Sequence, residues 1–261
     1  MQITPKKSLG QHFLTDSNII RKIADAVIAP ENGKVVEIGP GTGAVTGVLL
    51  QRFPGLEVVE IDPRAADFLQ QTYPGLTIHR QDILKTDWNS FEGGPISVVG
   101  NLPYYITSPI LFSVLDRREL FTQAVFMMQR EVALRLTAQP RTKDYGILSV
   151  QTQLWSRPEY LFTVSRNVFH PRPNVESAVV RLTFDTPDPG VDRSRLKLVV
   201  RTAFSQRRKT LNNALKPILK EHIPDDAARE AFAAEHQLGR RAEELQPNEF
   251  IDLTRAIYGE P

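Results

Sequence analysis

The chain of 261 residues contains no cysteine, which excludes a disulfide framework, a thiolate metal site and a cysteine nucleophile. No apolar run reaches 18 residues, and Lys6 and Lys7 are not followed by the apolar segment of a secretory leader. The five histidines show no metal-ligand spacing. We therefore expect a cytoplasmic protein that has no membrane partner and holds no metal ion.

Acidic residues are missing from a long stretch near the end of the chain. Residues 193–220 include nine basic residues and no acidic one, whereas residues 221–261 include ten acids and four bases. The net charge of +2 conceals this asymmetry. Apolar residues at helical spacing make 193–220 a basic amphipathic stretch, which is typical of a solvated helix face, a membrane-surface helix or a nucleic-acid footprint. Asn212, Asn213 and Pro217 interrupt the helix and weigh against the membrane alternative.

Short β-branched runs alternate with helical stretches over the first two-thirds of the chain. This alternation predicts an α/β fold with a doubly wound, Rossmann-like sheet. We expect segments 146–155 and 177–184 to form an antiparallel strand pair late in that sheet. Beyond the sequence Thr-Pro-Asp-Pro-Gly at 186–190, all patterns are helical. We therefore predict a larger domain, 1–185, and a small all-helical C-terminal domain, 191–261.

A nucleoside-binding pattern follows the first buried strand. The sequence Glu37-Ile-Gly39-Pro-Gly41-Thr-Gly43 places three glycines directly before a helix, so a ligand can approach the backbone at a positive helix N-terminus. In an open α/β sheet, ligands bind beyond the carboxyl ends of the strands. Glu60 closes the second strand and is suited to accept hydrogen bonds from a ribose diol.

The class of nucleoside cofactor stays open on these residues alone. Gly39, Gly41 and Ala44 loosely match the dinucleotide pattern, but nothing downstream resembles hydride-transfer chemistry. Asp82 follows the third strand, where it either accepts from an adenine amine or caps a turn.

Residues Asn101-Leu102-Pro103-Tyr104 match the pattern by which enzymes hold the exocyclic amine of a nucleobase for methylation. The lone pair of such an amine is delocalised into the ring. A side-chain carbonyl of Asn and a nearby backbone carbonyl can accept its two N–H bonds and free the lone pair. Pro103 removes a backbone donor, and Tyr104 offers an aromatic face to an unstacked base. The alternative is an ordinary strand-to-turn sequence.

These motifs fall in the order found in S-adenosylmethionine-dependent adenine methyltransferases, and three further segments resemble the rRNA adenine dimethyltransferases. Residues 7–14 resemble their Gly-Gln-Asn-Phe-Leu motif, with His12 in place of the commoner Asn. Residues 169–177 resemble their Phe-x-Pro-x-Pro-x-Val-x-Ser loop, and residues 204–211 resemble the basic motif of their small helical domain. Gln81 stands where Gly is frequent. The resemblance covers nearly the whole chain.

The resemblance implies a methyltransferase that uses S-adenosylmethionine and releases S-adenosylhomocysteine. In that family the target adenine is extruded from its stack. The resemblance implies that Asn101 and the Leu102 carbonyl hold its amine, and that Pro103 shapes the turn. It also implies that Tyr104 and Phe169 sandwich the ring of the adenine. The implied RNA contacts are Arg207, Arg208 and Lys209. The implied cofactor-binding residues are Gln11, His12, Leu14, Gly39, Gly41, Gly43, Glu60, Ile61, Asp82, Ile83 and Asn101.

Three functions stay open from the sequence. The first is dimethylation of adenines in 16S rRNA of the small ribosomal subunit, which the resemblance places at two adjacent adenosines near the 3′ end, with a role in subunit biogenesis for a monomer. The second is methylation of large-subunit (23S) rRNA of the macrolide-resistance type, whose members more often have Ile where Leu102 stands. The third is a non-catalytic nucleic-acid-binding factor, against which intact Glu60, Asp82 and Asn101 argue.

Overall fold

The computed structural model describes residues 3–91 and 93–259. The outer ends of the two predicted domains, residues 1–2 and 260–261, lie outside the described residues. The chain forms two compact units. The first comprises the residues up to Ala133 together with Ser156–Asp185, and the second comprises Leu134–Trp155 together with the residues from Thr186 onward.

The first unit is built on a seven-stranded sheet. Its strands lie in the order β4-β3-β2-β5-β6-β9-β7, parallel from β4 to β6 and antiparallel from β6 to β7. A separate antiparallel pair joins β1 to β8. The strands are β1 (Phe13–Leu14), β2 (Lys34–Ile38), β3 (Glu57–Val59), β4 (Thr77–His79), β5 (Ile96–Asn101), β6 (Phe121–Gln129), β7 (Arg157–Val164), β8 (Phe169–His170) and β9 (Ser177–Thr183).

Helices precede the first parallel strand and connect most of the others, as the predicted doubly wound fold requires. They are α1 (Ser17–Ala26), α2 (Thr46–Arg52), α3 (Pro63–Thr72) and α4 (Thr107–Asp116), with α5 (Arg130–Leu136) crossing the boundary of the unit. Asp62 caps α3 by accepting from the backbone N–H of Arg64, and Pro63 occupies the first turn, where a missing N–H costs nothing. This cap fixes the point at which the chain leaves β3.

The core of the first unit lies on the faces of the sheet. The central strands β2 and β5 are buried along almost their whole length, which is why they read as continuous apolar runs and not as alternating ones. Helices α1, α2 and α3 contribute Ile23, Leu49 and Leu69 to the same buried cluster. The carboxyl ends of the parallel strands are thereby held at one edge of the sheet.

The second unit is mainly helical in its described part, with an isolated β-bridge between Thr210 and Arg241. It contains α6 (Ile147–Trp155), α7 (Arg193–Ser205), α8 (Leu211–Ala214), α9 (Lys216–His222), α10 (Asp226–Glu235) and α11 (Pro247–Tyr258). Its core includes Tyr145, whose side chain is fully buried and donates through its hydroxyl to the Leu245 carbonyl at 2.8 Å. Phe204 packs between Tyr145 and Phe250.

The predicted strand at 146–155 is wrong. The segment forms α6, which belongs to the helical unit, and β9 pairs with β6 and β7 instead. Val150 and Leu154 lie four residues apart on the buried side of the helix, a spacing that the β-branched composition concealed. The division into units consequently differs from the predicted boundary, because 134–155 leaves the first domain.

The basic stretch 193–220 is not one helix. It is divided into α7, α8 and α9, with a non-helical link at 206–210. No helix among the described residues is long and apolar enough to cross a membrane.

Candidate active site

One cavity of the first unit lies at the carboxyl ends of β2, β3 and β5, beside the loop that follows β4. The N-terminal segment 9–14 lines the same cavity. All the predicted cofactor and catalytic residues contribute to its lining except Gly43 and Phe169. The structure thus brings together predicted residues that are up to 93 positions apart in the sequence, from Gln11 to Tyr104.

Two glycines open the floor of this cavity. Gly39 has a φ of +62°, and a Cβ built on it would meet no atom within 4 Å, so the space above it is available to a ligand. Gly41 has a φ of +56°, and a Cβ there would lie 2.9 Å from the ring of Phe13. Gly43 packs against Leu69 instead and forms the turn before α2. Its contribution is to the shape of the loop.

Two buried carboxyl groups lie beside the glycine loop. Glu60 is 5% exposed and accepts from the backbone N–H groups of Gly41, at 3.1 Å, and Asp62, at 2.8 Å. Burial raises the pKa of Glu60, although these donors oppose the shift. Burial raises the pKa of Glu37 to about 7, against the hydrogen bond from the Thr46 hydroxyl and with help from the charge of Glu60. The cavity floor therefore carries acceptors that bind hydroxyl or ammonium donors.

Asp62 ties the N-terminal segment to the start of α3. Its carboxylate accepts from the Gln11 side chain at 3.1 Å and from the Arg64 guanidinium at 2.6 Å, and the hydrogen bonds from Arg64 hold its pKa at about 2. Arg64 also donates to the Thr4 carbonyl. The sequence prediction missed Asp62, although the dipeptide Asp-Pro at a helix start is a readable cap signal. Gln11 is fixed at the cavity by this contact.

The Asn101 side chain is oriented by the N-terminal segment. Its amide nitrogen donates to the backbone carbonyl of His12 at 3.0 Å. A carbonyl oxygen only accepts, so the amide nitrogen must face His12, and the Asn101 Oδ1 is left as an acceptor. Among the described residues no donor binds Oδ1 or the Leu102 carbonyl, whereas the Pro103 carbonyl already accepts from Ile106 and Thr107.

Tyr104 is fixed at both ends of its side chain. Its hydroxyl lies 2.7 Å from the Ser177 hydroxyl, and its ring stacks with the His12 imidazole at a centroid distance of 5.7 Å. Burial raises the pKa of Tyr104, so the phenol is neutral. His12 Nδ1 lies 2.7 Å from the Pro171 carbonyl and therefore carries a proton. His12 thus links the turn at 101–104 to the loop that follows β8.

Phe169 does not line the cavity. It is 5% exposed and pairs with Leu14 in the β1–β8 ladder, within the buried cluster of the first unit. The structure holds no adenine, so the predicted sandwich of the extruded base between Tyr104 and Phe169 stays a prediction. The aromatic neighbour of Tyr104 is His12.

The part of the predicted cofactor site that would hold the adenine is lined by apolar side chains and by the carboxylate of Asp82. Ile61 is 51% exposed, Leu84 is 42% exposed, and both line the cavity beside buried Ile83. Asp82 accepts from the backbone N–H of Leu84 at 2.9 Å through one oxygen, so it caps a 3-10 turn. Its second carboxylate oxygen accepts no hydrogen bond from the described residues, so the two interpretations of Asp82 are compatible.

The predicted RNA contacts divide into two kinds. Arg207 donates to the Glu243 carboxylate at 2.8 Å and to the Thr142 carbonyl at 3.1 Å, both within the second unit. Arg208 and Lys209 are exposed and make no ion pair with the described residues. Arg201, Lys216 and Lys220 share that property. The link at 206–210 therefore presents two basic side chains to solvent and uses a third to hold the fold.

The chain is similar to known proteins over nearly its whole length. The family model described as ribosomal RNA adenine dimethylase matches residues 3–255. The ribosomal RNA small subunit methyltransferase A of Chlorobium chlorochromatii is 46% identical over 258 residues, which cover 98% of this chain and 95% of that protein. The protein of the same description from Parabacteroides distasonis is 44% identical and covers 97% of this chain and 93% of its own.

Two solved structures share the fold over both units. A dimethyladenosine transferase from Plasmodium falciparum has a TM-score of 0.83 at 26% identity, over 95% of this chain and 98% of that one. A 23S rRNA methyltransferase has a TM-score of 0.70 at 26% identity, over 94% of this chain and 99% of that one.

Proposed function

This chain belongs to the ribosomal RNA adenine dimethylase family, and on that premise we propose that it dimethylates the exocyclic amino group of adenines in 16S rRNA, with S-adenosylmethionine as the methyl donor. The identity of 46% over 98% of this chain to a ribosomal RNA small subunit methyltransferase A supports the small subunit as the substrate. We propose that it acts as a monomer in the cytoplasm during small-subunit biogenesis.

The cavity fits S-adenosylmethionine on three counts. The buried carboxylate of Glu60 suits a ribose diol, the space above Gly39 admits a ligand to the backbone, and exposed Ile61 suits an adenine face. Buried Glu37 lines the same floor, and an ammonium group beside it would lower its raised pKa and favour the carboxylate. When bound, S-adenosylmethionine supplies a methyl group activated by its sulfonium charge.

The observation that carries the proposal is the pair of unfilled acceptors at the turn after β5. An exocyclic adenine amine has two N–H bonds, and the Asn101 Oδ1 and the Leu102 carbonyl are two acceptors that line the cavity. Accepting both bonds draws the nitrogen toward tetrahedral geometry and makes its lone pair available. The cost of orienting the Asn101 amide is met before substrate binds, because the His12 carbonyl already holds it. The proton of the amine can leave after attack, so no strong general base is required.

The experiment that tests this function measures methyl transfer from labelled S-adenosylmethionine to unmethylated small or large ribosomal subunits. We expect transfer to the small subunit, at two adjacent adenosines near the 3′ end of its rRNA. Transfer to the large subunit alone would overturn the substrate assignment, and no transfer to either would overturn the activity.

Asn101→Ala tests the role of the turn. We expect a loss of about 100- to 1000-fold in the single-turnover rate at saturating cofactor, because the amide acts mainly on the reacting amine. Asn248→Ala, an exposed Asn at the start of α11, is the matched control. A single-turnover rate of Asn101→Ala equal to that of the control would contradict the assignment.

A further inference from the structure

Large exposed apolar side chains concentrate around the cavity. Of the seven in the described chain, Ile61, Leu84 and Tyr105 line it. Ile61 and Leu84 lie at the Glu60 and Asp82 end, where the proposed cofactor accounts for them. Tyr105 lies at the other end, beside the amine acceptors, and the cofactor does not account for its exposure.

Tyr105 is backed on one side and open on the other. It belongs to the 3-10 turn Tyr104–Ile106 and is 60% exposed, and its hydroxyl makes no hydrogen bond with the described residues. Its ring lies against Gly10: a Cβ on that glycine would stand 3.1 Å from two ring carbons. Gly10 has a φ of +58°, which favours glycine and allows this close approach. The ring is therefore supported by backbone and presents the rest of its surface to solvent.

Tyr105 directly follows Tyr104, which is the proposed neighbour of the extruded adenine. A nucleotide chain that enters the cavity must continue past its rim on either side of the target base. Lys7 lies in the 3-10 turn that ends beside Gly10, is exposed, and makes no ion pair with the described residues. An exposed aromatic ring, supported by a segment that carries an exposed cation, offers single-stranded nucleic acid both stacking and phosphate contact.

We propose that Tyr105 is the platform on which the base flanking the target adenine stacks, so that two consecutive nucleotides are bound at this end of the cavity. This inference rests on the proposed function. It makes Tyr105 a positioning residue, because holding the neighbour fixes the direction in which the RNA backbone leaves the site.

A stacking platform suits a substrate in which two adjacent adenines are modified. Stacking on a tyrosine ring uses the face of the base and needs none of its amine hydrogen bonds. The platform therefore holds a flanking adenine before its amine is methylated and afterwards. A hydrogen-bonding pocket for the flanking amine would lose its partner after the first dimethylation.

The test uses three variants at this position and one elsewhere. Tyr105→Phe keeps the ring, Tyr105→Trp enlarges it, and Tyr105→Leu keeps apolar bulk without a planar face. Ile28→Ala is the matched control, because Ile28 is 61% exposed and does not line the cavity. KM and kcat are measured with unmethylated small subunits. Stacking is read from the fluorescence of short single-stranded RNAs in which 2-aminopurine replaces the base on the 5′ or the 3′ side of an adenine.

We expect Tyr105→Leu to raise KM for the subunit by about tenfold, the loss of one base stack, with kcat and cofactor affinity little changed. One of the two 2-aminopurine RNAs should be quenched by wild type, Tyr105→Phe and Tyr105→Trp and not by Tyr105→Leu. Methyl transfer by the wild type with an unchanged KM and unchanged quenching in Tyr105→Leu would overturn the platform and leave the proposed function standing. A Tyr105→Leu variant that loses cofactor affinity or thermal stability while its KM stays normal would show that Tyr105 only holds the N-terminal segment, and that result overturns the platform too.

Discussion

Glu37 and Glu60 are carboxyl groups that the fold keeps in a poorly solvated place beside a glycine loop. An ordinary salt bridge would have neutralised each of them, yet their partners here are a hydroxyl and backbone N–H groups. Such partners do not neutralise a carboxylate, so burial raises the pKa of both groups. Burial destabilises the ionised form of these carboxyl groups. The proposed cofactor, which is cationic at its sulfonium and ammonium groups, would stabilise that form.

The raised pKa of Glu37 predicts a pH dependence of stability with a definite sign. The folded state binds a proton up to about pH 7, whereas the unfolded state releases it near 4.5. The stabilisation that proton binding at Glu37 gives the folded state is therefore complete below pH 4.5 and is lost as pH rises toward 7. The free energy of unfolding falls over that window. The gap between the two values corresponds to about 3 kcal/mol. We expect Glu37→Gln, which keeps an acceptor for Thr46, to lack this loss in denaturation at pH 5 and pH 8.

Glu57 provides the control of opposite sign. Burial alone would raise its pKa, but hydrogen bonds from Lys34 and His79 lower it. Its contribution is present above its unfolded pKa and is lost as pH falls through the lower folded value. Glu57→Gln should therefore cost stability at pH 8. If wild type and Glu37→Gln gave parallel curves of stability against pH, the assignment of Glu37 as a buried group that binds a proton would be wrong.

At the scale of elements, the short β1–β8 pair decides what Phe169 does. Leu14 and Phe169 face each other in its ladder, and both belong to the buried cluster of the first unit. A side chain buried in this way contributes packing to the first unit.

Phe169→Ala should lower the free energy of unfolding by about 3 kcal/mol or more, as for other buried Phe residues, and Phe169→Leu by about 1 kcal/mol. Chemical denaturation measures both. Single-turnover methyl transfer by Phe169→Leu, assayed well below its melting temperature, should stay near the wild-type rate. A normal stability combined with a raised KM for the small subunit would show instead that Phe169 leaves the core and stacks on the target base.

The sequence predicted the positions of the parallel strands because each reads as a short apolar run followed by a polar or glycine residue at the site. Glu60, Asp82 and Asn101 follow from that rule alone. It did not predict α6, whose Ile, Val and Thr residues favour a strand locally and become helical through burial in the second unit. The edge strand β7 was also missed, since Pro158 argues against a strand and is tolerated only at a sheet edge.

Other parts of the site depend on contacts that no sequence pattern encodes. The carbonyl of His12 orients Asn101 across 89 positions, and a backbone carbonyl carries no residue identity. His12→Asn should accordingly leave that bond in place, because only the side chain changes. The same reasoning explains why the departure from the commoner Asn at this position is compatible with the proposed chemistry.

At the scale of the whole molecule, the basic side chains of the stretch 193–220 fall into two groups with different roles. Arg193 stacks on Trp155 and Arg195 stacks on Tyr258, while Arg207 is bound to Glu243. These side chains support the second unit. Arg208 and Lys209 are exposed and form no ion pair with the described residues. We propose that these two basic side chains contact RNA phosphates.

Replacing Arg208 and Lys209 together with Gln should weaken binding to the small subunit and reduce the slope of log affinity against log salt by about 0.7–0.9 for each lost phosphate contact. Cofactor affinity and thermal stability should not change. Arg207→Gln is the matched variant, and it should lower thermal stability while it alters the salt slope less. A salt slope that is unchanged in the double variant would mean that Arg208 and Lys209 form only a solvated surface.

The pairing of Phe13 with His170 also sets a time for the enzyme to become active. A chain leaves the ribosome with its N-terminus first, and the parallel strands from Lys34 to Gln129 can assemble while the rest is still being made. The partner of the N-terminal strand is synthesised 157 residues later, so the segment that carries the His12 carbonyl has no ladder to join until then. A protein that modifies the ribosomal subunit is therefore catalytically complete only after most of its own translation has finished.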